Sequence, residues 1–546
     1  MRVALAQINS SLCDFSGNRQ KIIEYIERAA ARRADVILFP ESTLFGYHPM
    51  DLLERSALVE QQLRELAAIQ KKIPAGVMVL IGAFTKNPSK KGKPFFNSAI
   101  ALQKGARPRY FHKELLPTYD VFDDARHIEA GEMAKNIIKF KGKKFLITIC
   151  EDIWAWPQPN LRRETVYENN PLKNIKPGSV DFVLNLSASP FYDGKFEDRL
   201  FVVRQTVKQT RAPMVYVNMV GAQDELIFDG GSFACDEKGK LLAHSMHFVE
   251  DLNIVDFETH ERGMRAERAS PVEQVRQALV LGIRDFAGKN AIDKVHLGVS
   301  GGIDSALVAC LAVDALGPQN VSAYALPGPH SSELSYNLAR KLAKNLEIDF
   351  KAIKFSGVYD SLVSVLDSEL GKLSFGVMHE NLQARLRGTI LMAISNRDGS
   401  MLLNTSNKDE LAVGYGTLYG DLCGGLSPIG DLLKGDVYRL AAHYNSQREI
   451  IPSEIISRPP TAELRPNQKD QDSLPPYDEL DKSIVQIVEK RGKARNRTDE
   501  WLLDVMTRSE FKRWQSPPIL KVREHSFGRG RRMPIAELSR KSSKSH

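Results

Sequence analysis

Short apolar runs separated by amphipathic stretches make up the first half of the chain. The runs are rich in β-branched residues and end at Gly, Pro or charged residues, which is typical of buried strands. They are VALAQI from Val3, DVILFPE from Asp35, VMVLIGAF from Val77, KFLITICED from Lys144, VDFVLNLSAS from Val180 and APMVYVNMVG from Ala212. Between them, NRQKIIEYIERAAARRA and FEDRLFVVRQTVKQTRA place apolar residues at helical spacing with charges on the other face. This pattern predicts an α/β domain over residues 1–257.

A polar break, ETHERGMRAERAS, interrupts the pattern and predicts a linker over 258–272. Strands and helices then alternate strictly, in the order helix VEQVRQALVLGIRDFA, strand KVHLGVS, helix SALVACLAVDAL, strand VSAYALP, helix SYNLARKLAKNL and strands IDFKAIKF and SMLLNTS. Such alternation indicates parallel strands joined by crossover helices. We therefore expect a doubly wound parallel sheet in a second domain, over 273–546.

Two segments of the second half lack a hydrophobic period. SRPPTAELRPNQKDQDSLPPYD, at about 456–477, is rich in Pro, Asp and Gln and predicts a mobile loop, a candidate lid. The tail from Lys521 to His546 is basic. Because it lacks interleaved aromatic residues, we interpret it as a solvated or partner-contacting segment and expect no nucleic-acid partner.

Composition is consistent with two large soluble domains in a chain of 546 residues, with 42% hydrophobic and 26% charged residues and a net charge of +8. We find neither a signal peptide nor an apolar run of about 18 residues, so we expect a cytoplasmic protein without a membrane partner. The five cysteines are scattered singly, which argues against a disulfide framework or a CxxC metal site.

Three polar residues end or follow apolar strands in the first half: Glu41 in ILFPES, Lys113 in RYFHKELLP and Cys150 in LITICED. Each alone is explained by a strand reaching solvent or by a packed thiol. Together they supply what a thiol needs to attack an amide carbonyl near neutral pH, namely a carboxylate base and a cation for the developing charge.

These segments and their flanks, ESTLFGY, HKELLPTYDVFDD and CEDIW, resemble the nitrilase superfamily, over about residues 1–255. The resemblance implies an αββα sandwich in which Cys150 is the nucleophile, Glu41 the general base and Lys113 the cation beside the oxyanion.

Within that superfamily the first half is most similar to the glutaminase domains of NAD synthetases. This similarity implies that Tyr119, Ser189 and Lys195 contact glutamine. Two positions differ from the usual motif, because Thr118 and Asp124 stand where Asn and Glu are commoner. Neither belongs to the triad, so we expect them to affect only details of the glutamine fit.

The second half contains a glycine-rich loop between a strand and a helix, HLGVSGGIDSALVACLAV. Its backbone N–H groups and the start of the helix favour an anion, although the lysine of a Walker A loop is missing. The pair of glycines could alternatively serve only to turn the chain into a capped helix.

The S-G-G-x-D-S string resembles the ATP pyrophosphatase family, which cleaves ATP between its α and β phosphates. By that resemblance Ser300, Gly301, Gly302 and Ser305 hold ATP phosphates, whereas Asp304 is better placed for Mg²⁺.

A second segment, TSNKDELAVGYGTLYGDLCGGLSPIGDLLKGDVYRL, resembles the NAD synthetase motif. The motif implies that Thr405 contacts ATP, that Glu410 binds Mg²⁺ together with Asp304, and that Asp421 and Lys434 bind deamido-NAD. The alternative is a charged surface loop.

ENLQARLRG resembles the signature helix of the same family. It implies that the dinucleotide and a partner subunit are contacted by Glu380, Asn381, Gln383, Arg385 and Arg387, and hence that the protein is a homo-oligomer. The segment ALPGPHSSELS has His330 where the family more often has Tyr, which bears on the adenine side of the ATP site.

The resemblances together imply a ligase that hydrolyses glutamine and passes the ammonia to deamido-NAD activated by ATP and Mg²⁺. Three alternatives stay open from sequence. They are an amidotransferase of the same family with a different acceptor, a tRNA-modifying adenylating enzyme, and a binding protein with an inactive amidase half.

Overall fold

The computed structural model describes residues 1–89, 91–157, 167–259, 263–372, 374–461, 463–466 and 468–537. The chain forms two compact units, the first containing 1–223 and 227–269 and the second containing 224–226 and 270 onward. Residues 260–262 of the predicted linker and 538–546 of the basic tail lie outside the described residues. The domain boundaries 1–257 and 273–546 stay a prediction.

The first unit is made of strands with helices on their outer faces. Its strands are β1 (Arg2–Gln7), β2 (Val36–Leu38), β3 (Met78–Lys86), β4 (Phe95–Leu102), β5 (Arg109–His112), β6 (Ile137–Phe140), β7 (Lys143–Ile149), β8 (Phe182–Ser187), β9 (Met214–Asn218), β10 (Val220–Gln223), β11 (Leu226–Asp229), β12 (Phe233–Cys235), β13 (Leu241–His244) and β14 (Asp251–Asp256). Its helices are α1 (Phe15–Ala31), α2 (Ser56–Lys72) and α3 (Lys195–Thr210).

Two six-stranded sheets, ordered β14-β1-β2-β3-β4-β5 and β13-β12-β9-β8-β7-β6, form the centre of this unit. One apolar core lies between them and joins residues such as Leu5 and Leu38 to Phe145 and Leu184. A second core packs α1 and α2 on the first sheet, and a third packs α3 on the other. The unit is therefore the predicted αββα sandwich. Both sheets mix parallel and antiparallel pairs.

The second unit is mostly helical around a small sheet. Its strands are β15 (Val295–Gly298), β16 (Val321–Ala325), β17 (Asp349–Ala352) and β18 (Met401–Leu402). Its helices are α4 (Pro271–Lys289), α5 (Ile303–Leu316), α6 (Glu333–Asn345), α7 (Ser356–Leu370), α8 (Val377–Asp398), α9 (Lys408–Val413), α10 (Lys434–Tyr444), α11 (Ser453–Ser457), α12 (Tyr477–Ile484) and α13 (Arg497–Arg513).

The sheet of the second unit has the order β17-β16-β15-β18, and all of its pairs are parallel. This agrees with the predicted doubly wound fold. The strand order changes direction at β15, and ligands of such sheets bind at the carboxyl end of the strands there. The predicted phosphate loop follows β15 directly.

The segments without a hydrophobic period still make defined contacts. The predicted loop at about 456–477, in which residues 462 and 467 lie outside the described part, begins within α11 and ends at the start of α12. In the tail, Arg523 pairs with Asp436 and Glu489. In the part of the chain that the structure describes, no helix is long and apolar enough to cross a membrane.

Candidate active sites

The three triad residues meet in the buried interior of the first unit. Glu41 follows β2, Lys113 follows β5 and Cys150 follows β7, so three strand ends from two sheets supply them. Lys113 Nζ donates to Glu41 Oε1 at 2.9 Å, and both side chains are almost completely buried. The backbone N–H of Ala188, after β8, donates to Glu41 Oε2 at 3.0 Å and also faces Cys150.

Cys150 has a φ of +43°, a strained backbone conformation at the point where the strand turns into a short 3₁₀ helix. Burial and the charge of Glu41 raise the pKa of its thiol well above the usual range, whereas Lys113 lowers it. The resting thiol is therefore neutral, and attack requires transfer of its proton to a base. The Glu41 carboxylate is close enough for its charge to act on this thiol.

Lys113 is held by a second carboxylate that the sequence interpretation had set aside. Its Nζ donates to Asp124 Oδ2 at 2.8 Å as well as to Glu41. Burial lowers the pKa of Lys113, but Asp124 and Glu41 outweigh burial and hold it well above its usual value, so Lys113 is a cation. The expectation that Asp124 affects only the fit of glutamine was too narrow, because Asp124 contacts the triad directly. Asn97, which the sequence reasoning missed, donates to Glu41 Oε1 at 2.8 Å.

The three predicted glutamine contacts lie on loops or at a helix start. Tyr119 donates to both oxygens of Glu151, the residue after Cys150, at 3.0 and 3.1 Å. Ser189 is buried, and its N–H donates to Asn218. Lys195 is the first residue of α3, and its Nζ lies 3.9 Å from the ring centroid of Trp154.

The predicted phosphate loop joins β15 to α5 in a tight turn. Gly301 has a φ of +75°, and an added Cβ would lie 2.4 Å from the Ser335 carbonyl oxygen, so glycine is required there. Ser305 Oγ donates to the carbonyl of Gly302, and the Gly302 N–H donates to Ser300 Oγ at 3.2 Å. The loop thus presents hydroxyl and amide groups at the start of a helix, which suits a phosphate.

Two acidic side chains and a lysine meet beside this loop. Asp304 Oδ2 accepts from Lys434 Nζ at 2.6 Å, and Asp304 Oδ1 accepts from Asn407 at 3.0 Å. Burial and the charge of Asp304 raise the pKa of Glu410 well above its usual range. Two partly buried carboxylates that repel each other gain stability from a divalent cation between them, and oxygen ligands suit Mg²⁺. The residues present fit this ion.

A cavity of about 300 Å³ opens over the carboxyl ends of the sheet strands in the second unit. It is lined by Ser300, Gly302, Asp304, Ser305, Thr405, Glu410 and Asp421, among the predicted residues. Residues of the predicted loop, including Arg458 and Glu463, line it as well. The cavity therefore joins the phosphate loop to the carboxylate pair, and the loop forms part of its wall.

The predicted dinucleotide residues are more scattered. Asn381 accepts from the Thr417 hydroxyl at 2.8 Å, and Arg385 donates to the Leu418 carbonyl at 3.3 Å on the exposed side. Neither lines the cavity, whereas Arg387 of the same helix does. His330, which the sequence analysis placed at the adenine side of the ATP site, packs edge-to-face on Phe375. The centroids of the two rings lie 5.3 Å apart.

Comparisons with known proteins cover both units. The family model Carbon-nitrogen hydrolase matches residues 2–263, and the model NAD synthase matches residues 275–516. A glutamine-dependent NAD(+) synthetase of Synechocystis sp. is 40% identical, over 98% of each chain. One from Thermotoga maritima is 36% identical, again over 98% of each chain.

Solved structures give the same result. A glutamine-dependent NAD(+) synthetase from Acinetobacter baumannii, in complex with adenosine diphosphate, is 33% identical with a TM-score of 0.77, over 98% of each chain. A glutamine-dependent NAD(+) synthetase from Cytophaga hutchinsonii has a TM-score of 0.81 at 18% identity over 98% of each chain, which is a likeness of fold.

Proposed function

The chain belongs to the family of glutamine-dependent NAD(+) synthetases, and from this premise we propose which of its residues carry the two half-reactions. The chain is accordingly a ligase that uses glutamine as amide donor and ATP as energy source. The observation that supports the assignment of residues best is the buried contact of Lys113 with Glu41 beside Cys150.

In the first half-reaction, Glu41 takes the Cys150 proton and the thiolate attacks the side-chain amide carbon of glutamine. Lys113 stabilises the oxyanion of the tetrahedral intermediate. The C–N bond then breaks, and Glu41 returns its proton to the leaving nitrogen, so that ammonia departs and a thioester remains. Water attacks the thioester while Glu41 takes a proton from it; the C–S bond then breaks, Glu41 returns the proton to the Cys150 sulfur, and glutamate is released.

Tyr119, Ser189 and Lys195 bind glutamine in this proposal. Tyr119 is fixed by Glu151, and Lys195 lies over Trp154, so both polar groups are held at defined positions by neighbours. Pre-organised contacts of this kind reduce the entropy cost of binding a small substrate.

In the second half-reaction, the nicotinate carboxylate of deamido-NAD attacks the α-phosphorus of ATP and pyrophosphate leaves. Ammonia then attacks the acyl carbon of the adenylate, which gives NAD and AMP. The hydroxyl and amide groups of Ser300, Gly301, Gly302 and Ser305 hold the phosphates, and Thr405 contacts the nucleotide. Asp304 and Glu410 would hold Mg²⁺, which would supply positive charge to offset that of the departing pyrophosphate.

Asn381, Arg385, Asp421 and Lys434 bind deamido-NAD in this proposal. Lys434 is paired with Asp304, so its ammonium group lies at the carboxylate pair. Burial raises the pKa of Asp421. A buried carboxyl group with a raised pKa is suited to a directed hydrogen bond with the substrate, as donor or as acceptor, and less to an exposed charge.

One assay tests the reaction. The protein is incubated with ATP, Mg²⁺, glutamine and deamido-NAD, and we expect NAD, AMP and pyrophosphate in equal amounts, with at least as much glutamate. Replacing deamido-NAD by nicotinate mononucleotide tests the alternative acceptor, and adding tRNA tests the RNA-modifying alternative. Efficient use of either substitute in place of deamido-NAD would contradict the proposed acceptor.

We also propose a cytoplasmic homo-oligomer that pairs through α7 and α8. The described faces of these helices expose Val358, Val365, Leu370, Val377 and Met392, all more than one third exposed. Such an apolar face is typical of an interface between copies of a chain. The family's signature helix, ENLQARLRG, is part of α8.

We predict that light scattering gives at least a dimer and that the pair of changes Val358→Asp and Val365→Asp shifts it towards the monomer. These two valines lie seven residues apart, on one face of α7. The matched control, Val249→Asp, places the same charge at an exposed valine of the first unit and should leave the mass unchanged. An active monomer of the unchanged chain would contradict the proposal.

A further inference from the structure

A buried cluster of charged residues lies behind Ser189, outside the triad. Its centre is Arg199 of α3, whose side chain is fully buried. Arg199 Nε donates to Ser189 Oγ at 3.3 Å, and its Nη2 donates to the Ser189 carbonyl at 2.7 Å. One guanidinium therefore holds both the backbone and the hydroxyl of Ser189.

Asp229 fixes the other side of Arg199. The Nη1 atom of Arg199 lies 2.7 and 2.9 Å from the two carboxylate oxygens of Asp229. Burial raises the pKa of Asp229, but Arg199 and His247 outweigh burial and lower it to about 2. The carboxylate is therefore ionised, and a guanidinium is the group best shaped to bind it and Ser189 together.

Two histidines complete the cluster. His244 Nδ1 faces the Ala266 carbonyl at 3.2 Å, and His247 Nδ1 faces the Asp229 carboxylate at 3.1 Å. The two Nε2 atoms lie 2.9 Å apart.

Burial and His247 lower the pKa of His244 to about 4, so His244 is neutral near neutral pH. Asp229 lies between Arg199 and His247, with Arg199 Nη1 at 2.7 Å and His247 Nδ1 at 3.1 Å.

We propose that Arg199 is a positioning residue for glutamine, which orients the Ser189 hydroxyl while Asp229 and His247 hold the guanidinium in place. The inference rests on the proposed glutamine contact of Ser189. A hydroxyl has one proton and two lone pairs, so one that accepts from Arg199 directs its own proton elsewhere as a donor. Ser189 then offers that proton to an acceptor oxygen of glutamine.

Arg199→Lys tests this proposal, because lysine keeps the charge but cannot form the fork to Ser189 and Asp229. We expect KM for glutamine to rise roughly tenfold, the effect of losing one charge-assisted hydrogen bond, with a smaller change in kcat. Ser189→Ala should raise KM similarly, and the double variant should add little to either single change. Arg204→Lys, on the same helix and bonded to the Gly239 carbonyl, is the matched control and should leave KM unchanged.

Ammonia-driven NAD synthesis and thermal unfolding report whether each variant folds. If Arg199→Lys unfolds, Asp229→Asn tests the same network with nearly unchanged volume, and a normal KM in that variant would overturn the proposal. Additive effects of Arg199→Lys and Ser189→Ala would also overturn it. A normal KM in Ser189→Ala would instead remove the proposed glutamine contact, which is a failure of the function assignment and separate from that of Arg199.

Discussion

Cys150→Ala is expected to lower glutamine-dependent NAD synthesis by at least about three orders of magnitude, the usual scale for loss of a covalent nucleophile. Ammonium salts should restore synthesis to near the rate of the unchanged chain, since the added ammonia replaces the product of the missing step. The phosphate loop and the carboxylates Asp304 and Glu410 belong to the other compact unit. The Cys150→Ala substitution leaves all of them unchanged. Rates of NAD formation with each nitrogen donor are measured side by side.

Cys235→Ala is the matched control, because Cys235 is another buried thiol of the same unit, on β12. It should keep both activities. Retention of glutamine-dependent synthesis in Cys150→Ala would make Cys150 an inert packed thiol and remove the amidase assignment. Loss of both activities in a folded variant would contradict two separate sites.

The sequence predicts best what depends on local pattern. Each of the six apolar runs of the first half overlaps a strand, and the phosphate loop lies between β15 and α5 as expected. Glu41 and Lys113 lie 72 positions apart in sequence, yet the strand-end pattern and the family resemblance pointed to both. Resemblance supplied the roles, and the period of the apolar residues supplied the strands.

What the sequence does not reveal depends on contacts between distant loops. Asp124 reaches Lys113 from an irregular segment with no period to mark it. Arg199 appears in sequence as one charge among several on an amphipathic helix. It is nevertheless fully buried, because Asp229 and Ser189 accept the hydrogen bonds of its guanidinium group. Strands β4, β6 and β11–β14 were not among the predicted runs; of these, β6 and β11–β13 have only three or four residues, which carry too little alternation to predict a strand.

The strand SMLLNTS was predicted longer than it is. Met401 and Leu402 pair with β15, and Leu403, whose N–H still donates to the His296 carbonyl of that strand, bridges Leu426 on its other side. Asn404 then donates to the carbonyls of Asp421 and Cys423. The apolar run ends early because its last residues carry the chain into the ATP-site loop, where Thr405 lines the cavity.

Asp304→Asn and Glu410→Ala are each expected to lower NAD synthesis by at least about 10²-fold with glutamine and with ammonia alike, since Mg²⁺ acts before either donor is used. Glutamine hydrolysis by the first unit should partly survive, which separates this result from that of Cys150→Ala. The loss should be most severe at limiting Mg²⁺. Asp314→Asn is the matched control, because Asp314 is also ion-paired on α5, with Arg276, but lies at the other end of that helix. Near-normal synthesis by both variants at limiting Mg²⁺ would contradict the assignment of Asp304 and Glu410 as the metal ligands.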